Sequence, residues 1–177
     1  MSIFDKPIVS SDLPVRTFTF PTLPESLQEL QSLPEAVLND PYQTAALTVL
    51  ALCAYAAEKN IGAEMLNWLR GPRPLSNFDI SFINDRFRDG KTYIPFSYFK
   101  GATPGNDYTP DIPYVLTIES NPYSDANPGY KKLFVCSGGA DSPREVILRQ
   151  KGDGTWLLWD QALLVGIREP KATDPWA

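Results

Sequence analysis

A helix with no polar face is the strongest constraint in this sequence. From Ala45 to Ala57 only Thr48 interrupts an apolar run. The residues ahead of it signal a helix start, with Asp40 as N-cap, Pro41 at the first helical position and Gln43 to complete a capping box. The spacing predicts a helix from about Pro41 to Lys59. Its apolar side chains, among them Leu47, Val49, Leu50, Leu52 and Tyr55, point in every direction. A chain in water accommodates such a helix only by packing other elements around it. The run falls short of the roughly 20 residues that a membrane span needs. Ala45, Ala46, Ala51 and Ala54 let neighbours come close, so Ala→Leu near Ala51 is expected to overpack the core at a cost of about 1–3 kcal/mol.

The neighbours are legible on both sides. Ahead of the helix, Pro7, Pro14 and Pro21 keep residues 1–21 extended, and Arg16-Thr17-Phe18-Thr19-Phe20 alternates as a short edge strand does. Thr22-Leu23-Pro24-Glu25 reads as a capping box for a first helix, with Leu23, Leu27 and Leu30 on one face and Pro34 as its end. Behind it, Ile61 to Arg70 reads as a third helix carrying Met65, Leu66, Trp68 and Leu69, stopped by Gly71-Pro72. Ser76-Asn77-Phe78-Asp79 caps a fourth helix, with Phe78, Phe82, Ile83 and Phe87 as its apolar stripe and Asp89-Gly90 as its end.

From residue 92 the pattern changes to strands. They are expected at Thr92 to Ile94, Tyr98 to Phe99, Tyr114 to Glu119, Lys132 to Ser137, Glu145 to Lys151 and Thr155 to Asp160. Lys151-Gly152-Asp153-Gly154 joins the last two as a hairpin. Trp156 and Leu158 face one way and Leu157 and Trp159 the other, so both sides of that strand need cover. If Trp156 is core, Trp156→Ala costs about 3–5 kcal/mol. Residues 162–167 are open to a short helix or a further strand. Helices first and antiparallel strands afterwards define an α+β fold class. The expected organisation is an extended segment over 1–21 and a single domain over 22–177. Within that domain the N-terminal helices (22–90) pack on a C-terminal, mostly antiparallel curved sheet (91–169), followed by a tail (170–177). The cone-shaped nuclear-transport-factor-2-like folds are one compatible architecture, by analogy.

Composition then removes chemistry. There is no histidine among the 177 residues, which excludes Ser-His-Asp and Cys-His catalysis and any His-ligated metal. Two cysteines cannot complete a structural zinc site. Cys53 lies in the apolar run and reads as a small buried hydrophobe, whereas Cys136 closes the run Leu133-Phe134-Val135. A disulfide between them is not needed in a chain of this size. No metal site and no cofactor are expected. A net charge of −5 and a pI near 4.7 disfavour nucleic acid and anionic membranes as partners. The first residues lack the basic region and apolar stretch of a signal peptide, and the expected location is the cytoplasm.

Several strings carry a resemblance. They are Tyr93-Ile94-Pro95-Phe96-Ser97-Tyr98-Phe99-Lys100-Gly101-Ala102-Thr103-Pro104 and Asn106-Asp107-Tyr108-Thr109-Pro110, then Ser137-Gly138-Gly139-Ala140-Asp141-Ser142-Pro143-Arg144, Leu148-Arg149 and Trp156-Leu157-Leu158-Trp159, and the closing Ile167-Arg168-Glu169-Pro170 with Asp174-Pro175-Trp176-Ala177. Over roughly residues 40–177 the chain resembles a family of uncharacterised bacterial proteins of unknown function. The resemblance implies a bacterial origin and no assigned activity, and it carries over no catalytic residue.

Two groups of residues are candidates for a site. In the loop after Cys136, Gly138 and Gly139 allow backbone N–H groups to converge, Asp141 follows, and Arg144 is placed to pair an anion, a nest-like arrangement. The loop lacks the Gly-Lys-Ser/Thr ending of a phosphate-binding P-loop. The competing reading is a turn in which Asp141 and Ser142 hydrogen-bond the backbone. The second group is the loop aromatics Tyr108, Tyr114, Tyr123 and Tyr130, together with Trp176. These either stack on a ligand or partner or pin long loops onto the sheet. Asp79 reads as a cap, while Asp85 and Asp89 read as solvated surface beside Arg86 and Arg88. Asp125-Ala126-Asn127-Pro128-Gly129 lacks the closing Glu of a calcium loop.

Two functional readings follow. The first is a non-enzymatic, soluble binding or protein-interaction domain whose partner is a protein or a small molecule, with a homodimer as one form. The second is a small hydrolase or ligand-binding enzyme that uses Asp, Arg and Tyr in a pocket between sheet and helices. Two converging carboxylates, or Tyr beside Arg, in a deep pocket point to the second reading. A flat aromatic patch shared across a symmetric contact points to the first.

Overall fold

The computed structural model describes residues 14–177; of the extended segment expected over 1–21, the first thirteen residues lie outside it. The helix with no polar face is α2 (Pro41–Ala57). Asp40 accepts the Tyr42 N–H at 2.9 Å and Pro41 sits at the first position, as the sequence signals. Every residue from Thr44 to Tyr55 is buried. Gln43 does not complete a capping box, and its side-chain oxygen is buried without a hydrogen-bond partner. The Asp40 carboxylate instead serves the Tyr42 amide and the Arg16 guanidinium.

Helices and short 3-10 segments surround one part of α2. α1 (Leu27–Gln31) starts one turn later than the Thr22 box implies. Pro24 disfavours a helical conformation at Leu23. Ser26 takes over the cap, accepting Glu29 N–H at 3.1 Å, while the Glu29 carboxylate accepts Glu25 N–H at 2.7 Å. Pro34 does not end this helix but opens a separate 3-10 turn (Pro34–Val37). α3 (Lys59–Arg70) follows α2 at once, and Glu58 ends one helix and caps the other. α4 (Asn77–Arg86) has both halves of the Ser76/Asp79 capping box. Its expected stripe is split. Ile83 is buried and Phe87 is packed on the core, whereas Phe78 is 79% exposed and Phe82 faces solvent beneath Arg86. Positions 78 and 82 form one row on the helix surface and 83 and 87 the next, and only the second row meets the core.

The strands expected at Thr92 to Ile94 and Tyr98 to Phe99 are absent. Residues Lys91–Tyr98 form a 3-10 helix, closed by the Ser97 hydroxyl donating to Ile94 O at 2.7 Å. Pro95 has no N–H to give a sheet ladder, so β-branched and aromatic composition is overridden here. Phe99 alone makes a bridge, to Leu116.

The sheet holds β1 (Val15–Phe20), β2 (Tyr114–Glu119), β3 (Tyr130–Val135), β4 (Arg144–Gln150) and β5 (Trp156–Gln161), in that spatial order and antiparallel throughout. Phe18, Leu116, Ile118, Leu133, Val135, Val146, Leu148 and Leu158 form its buried inner face. The sheet curves so that both edges reach the start of α2. Arg16 of β1 pairs with Asp40, and on β5 the Trp156 N–H donates to Leu38 O at 2.7 Å. The Thr44 hydroxyl completes this closure by donating to Trp156 O at 2.6 Å. Trp156 itself is only half-buried against the core. The fold class is α+β, with the helices mostly in the N-terminal half.

On the outer face Tyr130, Arg149 and Leu157 lie directly across from one another on β3, β4 and β5. A bulge follows: Leu148 faces Leu158 and Ile147 faces Asp160, which leaves Trp159 as the extra residue of β5. The turn after α3 covers part of this face. Gly71 (φ 62°) packs on Leu157, where a Cβ would fall 2.6 Å from a Leu157 methyl carbon. Residues 162–167 form neither helix nor strand. They make a turn that buries Leu163 and Leu164, held by the Tyr98 hydroxyl donating to Leu163 O. Both cysteines are free thiols, Cys53 buried and Cys136 exposed.

Candidate functional site

The loop Ser137 to Arg144 is a clasp. Gly138 N–H donates to Ser97 O at 2.8 Å and Gly139 N–H to Ser137 Oγ at 3.0 Å. A Cβ on Gly138 would lie 2.0 Å from Ala102 O, and one on Gly139 would lie 2.2 Å from the Tyr108 hydroxyl, so the glycines admit the 101–108 loop. Arg144 donates to Val165 O and Gly166 O at 2.8 Å each, and to the carbonyl and hydroxyl oxygens of Ser142 at 3.0 and 3.2 Å. Asp141 pairs with Arg168. The donors that would face an anion are thus engaged inside the chain.

The loop aromatics separate by what each one meets. Tyr108 is buried, stacks on Tyr93 with centroids 5.1 Å apart, and donates its hydroxyl to Arg168 O. Burial, with Tyr93 adding to it and Arg168 opposing, pushes the Tyr108 phenol up to about 12. Tyr114 packs edge-on against Phe99 at 5.2 Å. Tyr123 and Trp176 stand in solvent, 75% and 93% exposed. Tyr130 lies under the Arg149 guanidinium, and it leads to the most distinctive hollow among the described residues.

That hollow, of 440 Å³, lies between the C-terminal end of α3 and the β4–β5 hairpin. Arg70, Arg73, Arg149, Lys151 and Trp159 line it, and no carboxylate among the described residues does. Trp159 is its centre. The Arg73 guanidinium carbon is 3.8 Å from the indole centroid and that of Arg149 is 4.8 Å away, while Tyr130 meets the ring edge-on at 5.5 Å. Arg73 also donates to Trp159 O. Arg70 is tied down by Asp79 at 3.4 Å and by its own bond to Arg73 O. Burial lowers the Arg70 guanidinium from its ordinary value, opposed by Asp79. Arg149 and Lys151 have no hydrogen-bonded or ion-paired carboxylate among the described residues. Tyr therefore does lie beside Arg, but through the ring face at 5.4 Å. The arrangement offers positive charge and flat surfaces.

Sequence reasoning singled out Tyr130 of this group and passed over Arg73, Arg149, Lys151 and Trp159 as site residues. The outward alternation of Leu157 and Trp159 was the available signal. Among the other hollows, two are larger than the one at Trp159. An apolar groove of 750 Å³ runs over Leu23, Cys53, Ile61, Phe96 and Ile112. One of 450 Å³ lies at Tyr93 and Tyr108, with Asp89, Asp107 and Glu169 on its walls. No group of three His, Cys, Asp or Glu side chains among the described residues is placed to hold a metal ion, and no described helix is long and apolar enough to cross a membrane.

The chain belongs to a family described as Domain of unknown function (DUF6935), whose model matches residues 22–171. No curated protein and no solved structure matches it.

Proposed function

We propose that this is a binding domain whose ligand is an anion, held in the recess around Trp159. One observation carries the reading: four cationic side chains, one of them (Arg70) ion-paired to Asp79, line a single hollow with no carboxylate among its described lining residues, in a chain whose net charge is −5. Like charges gathered in one hollow repel, and a bound anion would relieve that repulsion. The stacked guanidiniums are restrained by the indole, which lowers the entropy lost on binding. The lining supplies recognition groups of Arg, Lys, Gln and Trp type, so the hydrolase reading finds its best support elsewhere, at the carboxylates near Tyr93. We take the protein as soluble and cytoplasmic, a reading supported by its acidic balance. The test is amide and indole NMR of the intact protein titrated with sodium pyrophosphate. Shifts gathered on Arg73, Arg149, Lys151 and the Trp159 indole N–H are expected. No shifts, or shifts gathered on the apolar groove or the Tyr93 hollow instead, would overturn the assignment.

A further inference from the structure

Resting on that reading, we propose that the ligand of the Trp159 recess is a compact polyanion of phosphate type, a diphosphate group bound by Arg73 and Arg149 with Lys151 as the third cation.

Charge counting leads there first. Asp79 answers Arg70 at 3.4 Å, whereas Arg73, Arg149 and Lys151 have no ion pair among the described residues. Asp79 also bears on Arg73, and Asp153 on Lys151, both from beyond ion-pair distance, so the hollow of 440 Å³ keeps three cations with no carboxylate in contact among the described residues. A singly charged anion can contact only part of this set, while a diphosphate has oxygens enough to reach all three. Geometry points the same way. Both guanidinium carbons are placed relative to the same indole centroid, so their separation cannot exceed 3.8 plus 4.8 Å. Two planar forks held that close suit two adjacent tetrahedral groups, each taking oxygens in pairs, better than one. The arms come from separate elements, Arg73 from the turn after α3 and Arg149 from β4. The bulge that makes Trp159 an extra residue in β5 brings its ring to both guanidiniums. The volume leaves room for a group attached to the diphosphate, so the same chemistry could arrive as free pyrophosphate or as part of a nucleoside diphosphate.

The experiment is calorimetric titration of the intact protein with pyrophosphate, ADP, orthophosphate and acetate, repeated on Arg73→Gln and Arg149→Gln, with far-UV circular dichroism to confirm that both variants fold. Pyrophosphate is expected to bind about 10-fold or more tightly than orthophosphate, with acetate weaker still. Each variant is expected to lose about 10- to 100-fold in pyrophosphate affinity. ADP matching pyrophosphate would support the free diphosphate as what is read. ADP binding tighter would support the larger ligand. Orthophosphate or acetate binding as tightly as pyrophosphate would overturn the polyanion assignment and leave the anion reading standing. No binding of any of the four, or pyrophosphate affinity unchanged in both folded variants, would overturn both.

Discussion

Gly62 of α3 lies against Tyr55 of α2 so closely that a Cβ on the glycine would fall 2.2 Å from the Tyr55 Cα. Glu58 is the single residue joining the two helices, and backbone contact is what lets them turn on it. In an open helix Gly→Ala would stabilise by up to about 1 kcal/mol. Here the methyl meets main chain that cannot step aside, so Gly62→Ala is expected to destabilise by about 1–3 kcal/mol or more. A urea denaturation midpoint that rises instead would show that the helices are free to separate.

The closure of the sheet around α2 rests on Thr44 and Trp156. The Thr44 hydroxyl gives Trp156 O its hydrogen bond at 2.6 Å, and Trp156 N–H is held by Leu38 O. Thr44→Val keeps the shape and removes the donor. It is expected to cost about 1–3 kcal/mol, with faster amide exchange at the start of β5. An unchanged midpoint together with unchanged exchange would separate the curvature of the sheet from this bond.

What could be read from sequence was local. Asp40-Pro41 and the Ser76/Asp79 box satisfy helix ends with atoms two or three residues away, so their signals survive without knowledge of the fold. Alternation gave β1, β2, β4 and β5 within a residue or so, and located the hairpin at Lys151-Gly152-Asp153-Gly154. Failures came where distant packing decides. Periodicity placed Phe78 and Ile83 in one stripe because it cannot say which row meets a core. Thr92, Tyr93 and Ile94 carry strand composition, but Pro95 and the Ser97–Ile94 bond turn them into a 3-10 helix. The Trp159 recess was hidden for a similar reason. Arg73 and Trp159 are 86 residues apart, and the bulge that aims the indole leaves no mark in the spacing.

Tyr108 makes alkaline stability a readout of loop docking. Its phenol is shifted up to about 12, chiefly by burial, from an unfolded value near 10. The neutral form is favoured in the folded state, so its contribution is fully present below about pH 10 and is lost as the pH climbs toward 12. Tyr108→Phe removes the titrating group and its bond to Arg168 O. Stability measured at pH 9 and 11 should fall more in the wild type than in the variant. Equal losses would place Tyr108 in solvent.

Arg144 supplies the sharpest contrast with the Trp159 recess, because the sequence points to Arg144 as the anion partner. Arg144 spends its donors on Val165, Gly166 and Ser142, tying the Gly138-Gly139 clasp to the turn that buries Leu163 and Leu164. Its charge is directed at carbonyl oxygens, a structural use of a guanidinium, whereas the Arg149 guanidinium has no hydrogen-bond partner among the described residues and lies over the ring faces of Tyr130 and Trp159. Arg144→Gln shortens the reach and breaks several of those bonds at once. It is expected to lower stability by about 1–3 kcal/mol while leaving pyrophosphate affinity as it was. Arg149→Gln should do the reverse, with little change in melting temperature and a large loss of affinity. If Arg144→Gln abolished pyrophosphate binding in a protein that still melts cooperatively, the clasp would be the anion site and the recess would not.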